Sequence, residues 1–91
     1  MLKLREGIKV YLYTEHVDFR KAINGLSSII IDSNIDTPTS GNLVIFYNKH
    51  RNKVKVLFWD RNGFVLYHKQ LQNAKFKIPI ALDEALTLTH E

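Results

Sequence analysis

The sequence of 91 residues contains no cysteine, and this absence excludes several kinds of site. Without cysteine there is no disulfide framework, no thiolate ligand for a metal and no cysteine nucleophile. The absence is compatible with a reducing compartment, so we expect a cytoplasmic protein. The length predicts one domain over residues 1–91, and a composition of 45% hydrophobic and 24% charged residues is typical of a soluble globular domain.

Glycine-rich loops and long apolar runs are also missing. The four glycines are spread singly along the chain, and there is no P-loop, dinucleotide-binding fingerprint or nucleophile elbow. The longest strongly apolar run, residues 26–31, contains two serines and is far shorter than the ~20 residues that cross a bilayer. The N-terminal residues lack the apolar run of a secretion signal, so we expect no association with a membrane.

The sequence has no clustered set of metal ligands or catalytic groups. The four histidines, at positions 16, 50, 68 and 90, form no i, i+4 pair and have no partner acids at metal-binding spacing. Asp18, Asp60 and Asp83 are a conceivable carboxylate cluster for Mg²⁺, but a helix cap and a turn explain the first two. We therefore predict no metal, no cofactor and no enzyme activity.

Acids are scarce between residues 49 and 77, whereas basic residues are concentrated there. Eight of the thirteen lysines and arginines lie in this segment and Asp60 is its only acid, so it carries about +7 against about −3 for the rest. Its aromatic residues are Phe58, Trp59, Phe64, Tyr67 and Phe76. Charge segregation of this size indicates a surface for a polyanion. The alternative is a solvated sheet edge, where lysines discourage pairing with other edges.

The first half of the chain predicts a strand and a helix. Residues 8–13 are β-branched and aromatic and follow Gly7, which favours a strand. Four apolar residues spaced i, i+4, i+7 and i+11 predict a helix over about residues 18–32, with Asp18 as its N-cap. They are Phe19, Ile23, Leu26 and Ile30. Gly25 within this helix costs about 1 kcal/mol relative to alanine, so it either admits a neighbouring element or is a weak point.

The second half predicts a β-meander after a polar loop over residues 32–42. Strands are expected at residues 43–47, 53–59 and 64–69, with a polar turn at 48–52 and a hairpin turn at Asn62-Gly63, where glycine readily adopts positive φ. Residues 74–78 predict a short edge strand, and residues 83–88 a terminal helical turn. The fold class is therefore α+β, a single domain in which a strand–helix unit precedes an antiparallel β-meander packed on the helix.

The length of the hairpin loop decides which side chains share a face of the meander. A two- or four-residue loop groups Val54, Val56, Phe58, Val65 and Tyr67 on one face, and Lys55, Leu57, Trp59, Phe64, Leu66 and His68 on the other. A three-residue loop with a bulge instead groups Phe58 with Phe64 and Leu66, and Trp59 with Val65 and Tyr67. Both faces are apolar in either case, so the C-terminal tail, a second copy or a partner is expected to cover the face that the helix leaves open.

Several segments occur in an order that resembles a known family. They are residues 10–12 (VYL), 17–21 (VDFRK) with Gly25-Leu26, 40–43 (SGNL) leading to Phe46, and 53–60 (KVKVLFWD), followed by Gly63-Phe64, Lys69 and Phe76. This pattern is similar to the small accessory proteins, called TnpB or Orf2-like, of the insertion-sequence family numbered sixty-six. The chain departs from it at Ile78-Pro79, where an aromatic residue usually precedes the proline, and at residues 69–72, where a Lys-Arg-Leu-Glu-like run is usual. Family members also tend to continue into a longer C-terminal helical region, so the end at Glu91 predicts a short copy.

The resemblance implies a protein encoded beside a separate transposase that aids movement of the element without performing the strand chemistry itself. It gives added weight to Asp18, Arg20, Lys21, Lys55, Trp59, Asp60 and Gly63. Together with the basic segment, it predicts DNA binding through Lys49, Arg51, Lys53, Lys55, Arg61 and Lys69, with Arg20 and Lys21 as contributors.

A competing hypothesis is a protein-interaction module that docks on the element-encoded transposase or on itself as a homodimer. It rests on two apolar sheet faces with only one helix to cover them. Trp59 and Tyr67 are the candidate partner-binding residues. With Phe64 they could instead stack on unpaired bases, although aromatic residues in strands more often belong to the core.

Overall fold

The computed structural model describes residues 6–78, and this part contains four strands and one helix. They are β1 Val10–Leu12, α1 Ile23–Ser33, β2 Leu43–Tyr47, β3 Lys53–Asp60 and β4 Gly63–Gln70. One sheet has the order β1-β2-β3-β4, in which β1 is parallel to β2 and the other neighbours are antiparallel. The predicted α+β class, with a strand and a helix before a meander, is confirmed. In this described part, no helix has the length and apolar character needed to cross a membrane.

The first strand is shorter than the predicted residues 8–13, and it pairs with the strand that follows the helix. Backbone hydrogen bonds from Leu43 N–H to Lys9 O and from Tyr13 N–H to Ile45 O, both 3.0 Å, lie at its two ends. Because parallel neighbours need a crossover connection, α1 and its flanking loops supply it. The carboxyl ends of β1 and β2 therefore lie at the same end of the sheet as the β2–β3 turn.

The predicted start of the helix at Asp18 is wrong, as is the N-cap role of that residue. The helix begins at Ile23, and its N-cap is Ala22, which makes no side-chain capping bond. The Asp18 carboxylate instead accepts the backbone N–H of Arg20 (2.9 Å), and Lys21 N–H bonds to Asp18 O (3.0 Å), closing a turn ahead of the helix. The helix ends where Asn34 takes φ 57°, a left-handed conformation that asparagine tolerates.

One face of the sheet packs against α1 and forms the core. Leu26 and Ile30 of the helix are almost fully buried against Val44, Phe46 and Leu57 of β2 and β3. The predicted helical spacing correctly places Phe19, Ile23, Leu26 and Ile30 toward this core, although Phe19 lies before the helix. Phe64 and Leu66 of β4 pack against the same cluster.

The meander has the register of a two-residue loop, so the first of the two predicted groupings is confirmed. Asp60 pairs with Gly63, Trp59 with Phe64 and Leu57 with Leu66. The turn itself differs from the prediction, because the residue with positive φ is Arg61 (56°) rather than Gly63. A hydrogen bond of 2.6 Å from Asn62 N–H to Asp60 O closes a three-residue turn centred on Arg61, and positive φ at the central residue is one of the two forms of such a turn.

We call the opposite face of the sheet the far face. Its side chains are buried along β1 and β2 and more exposed along β3 and β4. Val10, Leu12, Leu43 and Tyr47 are buried there, whereas Phe58 and Val65 are half-buried and Tyr67 is 45% exposed. The predicted edge strand at residues 74–78 is wrong, because this segment has no strand pairing. The predicted helical turn at 83–88, with Asp83, and His90 and the far end of the C-terminal tail lie outside the described residues.

Candidate nucleic-acid interface

The β2–β3 turn is held by the side chain of Asn48. Its buried amide oxygen accepts the backbone N–H groups of Asn52 (3.0 Å) and Lys53 (2.9 Å), and its Nδ2 donates to Asn52 Oδ1 (2.7 Å). Arg51 takes φ 59° within this turn. These bonds satisfy polar groups that the turn would otherwise leave without partners. As a result the turn is a defined platform that carries Lys49, His50 and Arg51 at the surface.

The chain after β4 returns to this turn. Leu71 N–H donates to Asn52 O (2.8 Å), and Phe76 N–H donates to Arg51 O (2.7 Å). A shallow groove between the two segments is lined by His50, Asn52, Leu71, Asn73, Ala74 and Lys75. The hydrogen bonds place residues 71–77 beside the turn, and the side chains of Lys75 and Lys77 are exposed there.

Lys55 ties the segment before the helix to β3. Its ammonium donates to the carbonyl oxygens of Phe19 (2.9 Å) and Lys21 (2.7 Å), and lies 4.9 Å from the centre of the Phe19 ring. Lys55 is only 7% exposed, and burial lowers the pKa of its ammonium. Both carbonyls lie ahead of the helix, which begins at Ile23, and the Lys55 ammonium supplies a hydrogen-bond donor to each of them.

Arg20 and Lys21 project from the segment that Lys55 holds. The guanidinium of Arg20 bonds to the Asp18 carboxylate, with Nη2 to Oδ2 at 2.6 Å, and this contact holds the pKa of Asp18 well below its usual range. The side chain of Arg20 nevertheless remains 91% exposed, so part of its guanidinium still faces solvent.

Residues from three separate stretches of the chain thus lie at one end of the sheet, which we call the basic end. It comprises Arg20, Lys21, Lys49, Arg51, Lys53, Lys69, Lys75 and Lys77. Lys53 and Lys69 belong to neighbouring strands but to opposite faces, because Lys69 pairs with Val54. The positive charge therefore surrounds the end of the sheet instead of covering one of its faces.

Two of the lysine and arginine residues predicted to bind DNA lie elsewhere. Lys55 is buried with its ammonium bonded to backbone, so it does not reach a phosphate. Arg61 lies in the β3–β4 turn, eight positions after Lys53, so the length of β3 separates the two by about 26 Å. The end of the sheet that carries Arg61 also carries Asp60, the last residue of β3. Lys9 and Asp36 lie at the same end, because both contact Asn42 at the start of β2.

The two candidate partner-binding residues do not form one surface. Trp59 lies on the helix-covered face, where its ring meets Phe64 edge-on at 5.1 Å between centroids. Tyr67 lies on the far face, stacked on Phe58 at 6.1 Å. Their register places them on opposite sides of the sheet, because Tyr67 pairs with Val56 and Trp59 with Phe64.

The described residues contain no group of three acidic, histidine or cysteine side chains that could hold a metal ion. Asp18 lies before the helix near the basic end, and Asp60 is the last residue of β3, at the other end of that strand. The two carboxylates are therefore too far apart to share a cation.

Two structural residues of this region were not apparent from the sequence. The sequence predicts only a polar turn around Asn48, although asparagine at both ends of residues 48–52 is a signal of the capping role. For Lys55 the basic segment predicts a phosphate contact. Its position between Val54 and Val56, facing the same way as Leu57, was the signal that it points into the helix-covered face.

Comparison with known proteins gives two similar chains from Sinorhizobium fredii (strain NBRC 101917 / NGR234). "Uncharacterized protein y4jC" is 30% identical over 91 residues, which are all of this chain and 78% of that protein. "Uncharacterized protein y4hO" is 27% identical over 89 residues, which are 98% of this chain and 77% of that protein. No solved structure matches.

The profile of the family described as "IS66 Orf2 like protein" matches residues 8–91. This range includes every strand of the sheet, the helix and all of the basic end. The family suggests an accessory role in transposition and is not a known family of enzymes. The chain belongs to the IS66 Orf2-like proteins, as the order of its segments had predicted.

Proposed function

We propose that this protein is a non-catalytic transposition accessory factor that binds duplex DNA through its basic end. The observation that carries the proposal is the gathering of lysines and arginines from residues 20–21, 49–53 and 69–77 at one end of the sheet. Among the described residues, the only ion pair at this end joins Arg20 to Asp18. Most of the charge is therefore available to phosphates.

The size of the basic end fits a short stretch of duplex. Four strands spaced about 4.8 Å apart make an end roughly 14 Å wide, over which duplex DNA presents about eight phosphates. Lysine and arginine contacts to these phosphates position a protein without reading its base sequence. The helix of the described part is packed across the sheet by Leu26 and Ile30, so it is not presented to a major groove.

Duplex is favoured over single-stranded DNA because the basic end has no exposed aromatic platform among its described residues. Single-strand binders stack bases on aromatic rings. Trp59 and Phe64 pack on each other toward the other end of β3, and Phe19 and Phe76 are only half-exposed. Tyr67, the most exposed of the aromatic residues, lies on the far face within β4.

A salt series tests the proposal. Fluorescence anisotropy with a labelled duplex should give an affinity that falls steeply between about 50 and 200 mM salt, because phosphate contacts release counterions. The double variant Lys49→Gln/Arg51→Gln should bind more weakly and reduce the slope of log K against log salt by about 2, at ~0.9 for each phosphate contact.

The matched control removes two charges from the other end of the sheet. Lys9→Gln/Arg61→Gln lowers the net charge by the same amount, but should leave the affinity and the slope nearly unchanged. Absence of binding at low salt, affinity indifferent to salt, or equal losses in the two double variants would each overturn the proposal.

A further inference from the structure

The β4 strand is the edge of the sheet on the side of the hairpin, and half of its backbone groups point outward. Leu71 N–H donates to Asn52 O, directly opposite it in the β3–β4 register. Because hydrogen-bonded and non-hydrogen-bonded pairs alternate in an antiparallel ladder, the odd-numbered residues of β4 bond to β3. The N–H and C=O groups of Phe64, Leu66, His68 and Gln70 therefore face away from it. Among the described residues no strand lies beside this edge.

This outward edge is unusually open for a strand of eight residues. Natural edges are protected by short length, prolines, bulges or charges. β4 has no proline and carries a single lysine, Lys69, near its end. Tyr67 in its second half is one of two large hydrophobic side chains that are exposed in the described part, and the other is Ile31 on the helix.

A second copy of the same strand fits this edge by its own pattern of backbone groups. Two antiparallel copies of β4 can form backbone hydrogen bonds only in a register that places even-numbered residues opposite even-numbered residues, because these are the residues whose N–H and C=O groups face outward. The register that overlaps all of residues 64–70 pairs Phe64 with Gln70 of the other copy, and Leu66 with His68. It then places Tyr67 directly opposite Tyr67 on the two-fold axis, where aromatic cross-strand pairs are stabilising. Lys69 lies opposite Val65, so no like charges meet.

We propose that the protein forms a homodimer through antiparallel pairing of β4 with β4 of a second copy, centred on Tyr67. Charge also favours this arrangement over a parallel one. Antiparallel pairing directs the two basic ends away from each other, whereas parallel pairing would bring them together. The contact is isologous and closes on itself, so it gives a dimer and not a fibre.

Site-specific crosslinking tests the geometry, because the natural chain has no cysteine. In a non-hydrogen-bonded pair the two Cα atoms lie about 4.5 Å apart, which is within the range for a disulfide. Tyr67→Cys should therefore form a covalent dimer under mild oxidation. Ile31→Cys, at a helix position that is even more exposed than Tyr67, should remain largely monomeric. Equal crosslinking at the two positions, or none at residue 67, would overturn the proposal.

Sedimentation equilibrium without nucleic acid tests the association itself. The natural chain should give about twice its monomer mass of 10.6 kDa at high concentration. Tyr67→Lys places two ammonium groups opposite each other and removes the aromatic pair, so the dimer dissociation constant should rise at least about tenfold. Ile31→Lys adds the same charge and should leave it unchanged. A monomer at all concentrations, or a dimer that tolerates Tyr67→Lys, would contradict the β4 interface.

One consequence of the dimer rests on the proposed function. Its two basic ends would lie at opposite ends of one eight-stranded sheet, so one dimer should bind two separate duplexes. Titration by sedimentation velocity should find two duplexes per dimer for the natural chain and one per monomer for Tyr67→Lys. Because dimerisation is measured without DNA, a failure of DNA binding and a failure of the interface are separately visible.

Discussion

Lys55 is the residue whose role differs most between sequence and structure. In the sequence it is one more positive charge in a basic segment, yet its ammonium is buried and bonded to the carbonyls of Phe19 and Lys21. Its charge is therefore used to hold the segment that carries Arg20 and Lys21. A basic side chain can contribute to a binding surface by positioning others instead of touching the ligand.

Replacement of Lys55 by methionine should destabilise the fold. Methionine has a similar length but leaves the two carbonyl oxygens without their donor, which should cost about 1–3 kcal/mol in free energy of unfolding. Urea denaturation followed by circular dichroism measures this loss. Lys53→Met is the matched control, because this lysine is two residues away and its side chain forms no hydrogen bond with another described residue; it should change stability by less than about 0.5 kcal/mol. Equal midpoints for the two variants would show that the carbonyl contacts contribute nothing.

Because of the buried phenol of Tyr47, we expect the stability of the protein to fall as the pH rises in the alkaline range. Its hydroxyl donates to Thr14 O at 2.6 Å, and burial raises the pKa of this phenol above its ordinary value. The folded state therefore keeps its proton at a pH where the unfolded chain has lost it. The stabilisation is complete below the unfolded pKa of about 10 and is lost as the pH rises through the folded pKa.

The comparison with Tyr47→Phe isolates this titration from that of the lysines. Phenylalanine cannot ionise, so the natural chain should lose more free energy of unfolding than the variant between about pH 9 and pH 11. Below pH 9 the natural chain should be the more stable of the two by about 1 kcal/mol, because it keeps the hydrogen bond to Thr14. Parallel pH profiles would mean that the Tyr47 phenol ionises as it does in the unfolded chain.

Among the elements, the β2–β3 turn shows how an uncharged residue can control a charged surface. Asn48 accepts two backbone N–H groups and so fixes the turn that carries Lys49 and Arg51. A turn that is already ordered loses less conformational entropy when its side chains bind phosphates. The affinity should therefore depend on a residue that makes no contact with DNA.

Replacement of Asn48 by alanine tests this dependence. The affinity for duplex should fall about 3- to 10-fold, as expected when one or two side chains must be ordered on binding. The salt slope should stay the same, since no positive charge is removed. Asn62→Ala, in the other hairpin turn, is the control and should bind like the natural chain. A reduced slope for Asn48→Ala would mean that the variant has lost phosphate contacts outright.

The elements that the sequence predicted well are those whose signal is local. Residues 43–47 are a continuous apolar run and form β2 with the predicted bounds, and the observed β3–β4 register is one of the two that the sequence left open. The predicted helix start was wrong, and the segment ahead of the observed start is held by the Lys55 ammonium, 34 positions after Lys21, a long-range contact that no local pattern shows. The parallel pairing of β1 with β2 was not predicted either, because no local pattern in the sequence shows which distant strand lies beside β1.

For the whole molecule, segregation of charge along the sequence becomes segregation in space only in part. The hairpin carries Arg61 to the end opposite Lys53, although both belong to the same basic segment. The turn and the returning chain bring Lys49, Arg51, Lys75 and Lys77 together because two backbone hydrogen bonds join them. Counting charges along the segment predicted a basic surface, but the direction of each strand decides which of them belong to it.

The parallel pairing of β1 with β2 also sets an order in which the chain can fold. The β3–β4 hairpin joins near neighbours, whereas β1 must meet a strand more than thirty residues later, and closing that long loop costs more chain entropy. We expect the hairpin to be native-like in the transition state and β1 to dock after the rate-limiting barrier. Truncation of Leu12 should thus mainly accelerate unfolding, while truncation of Leu57 should slow refolding.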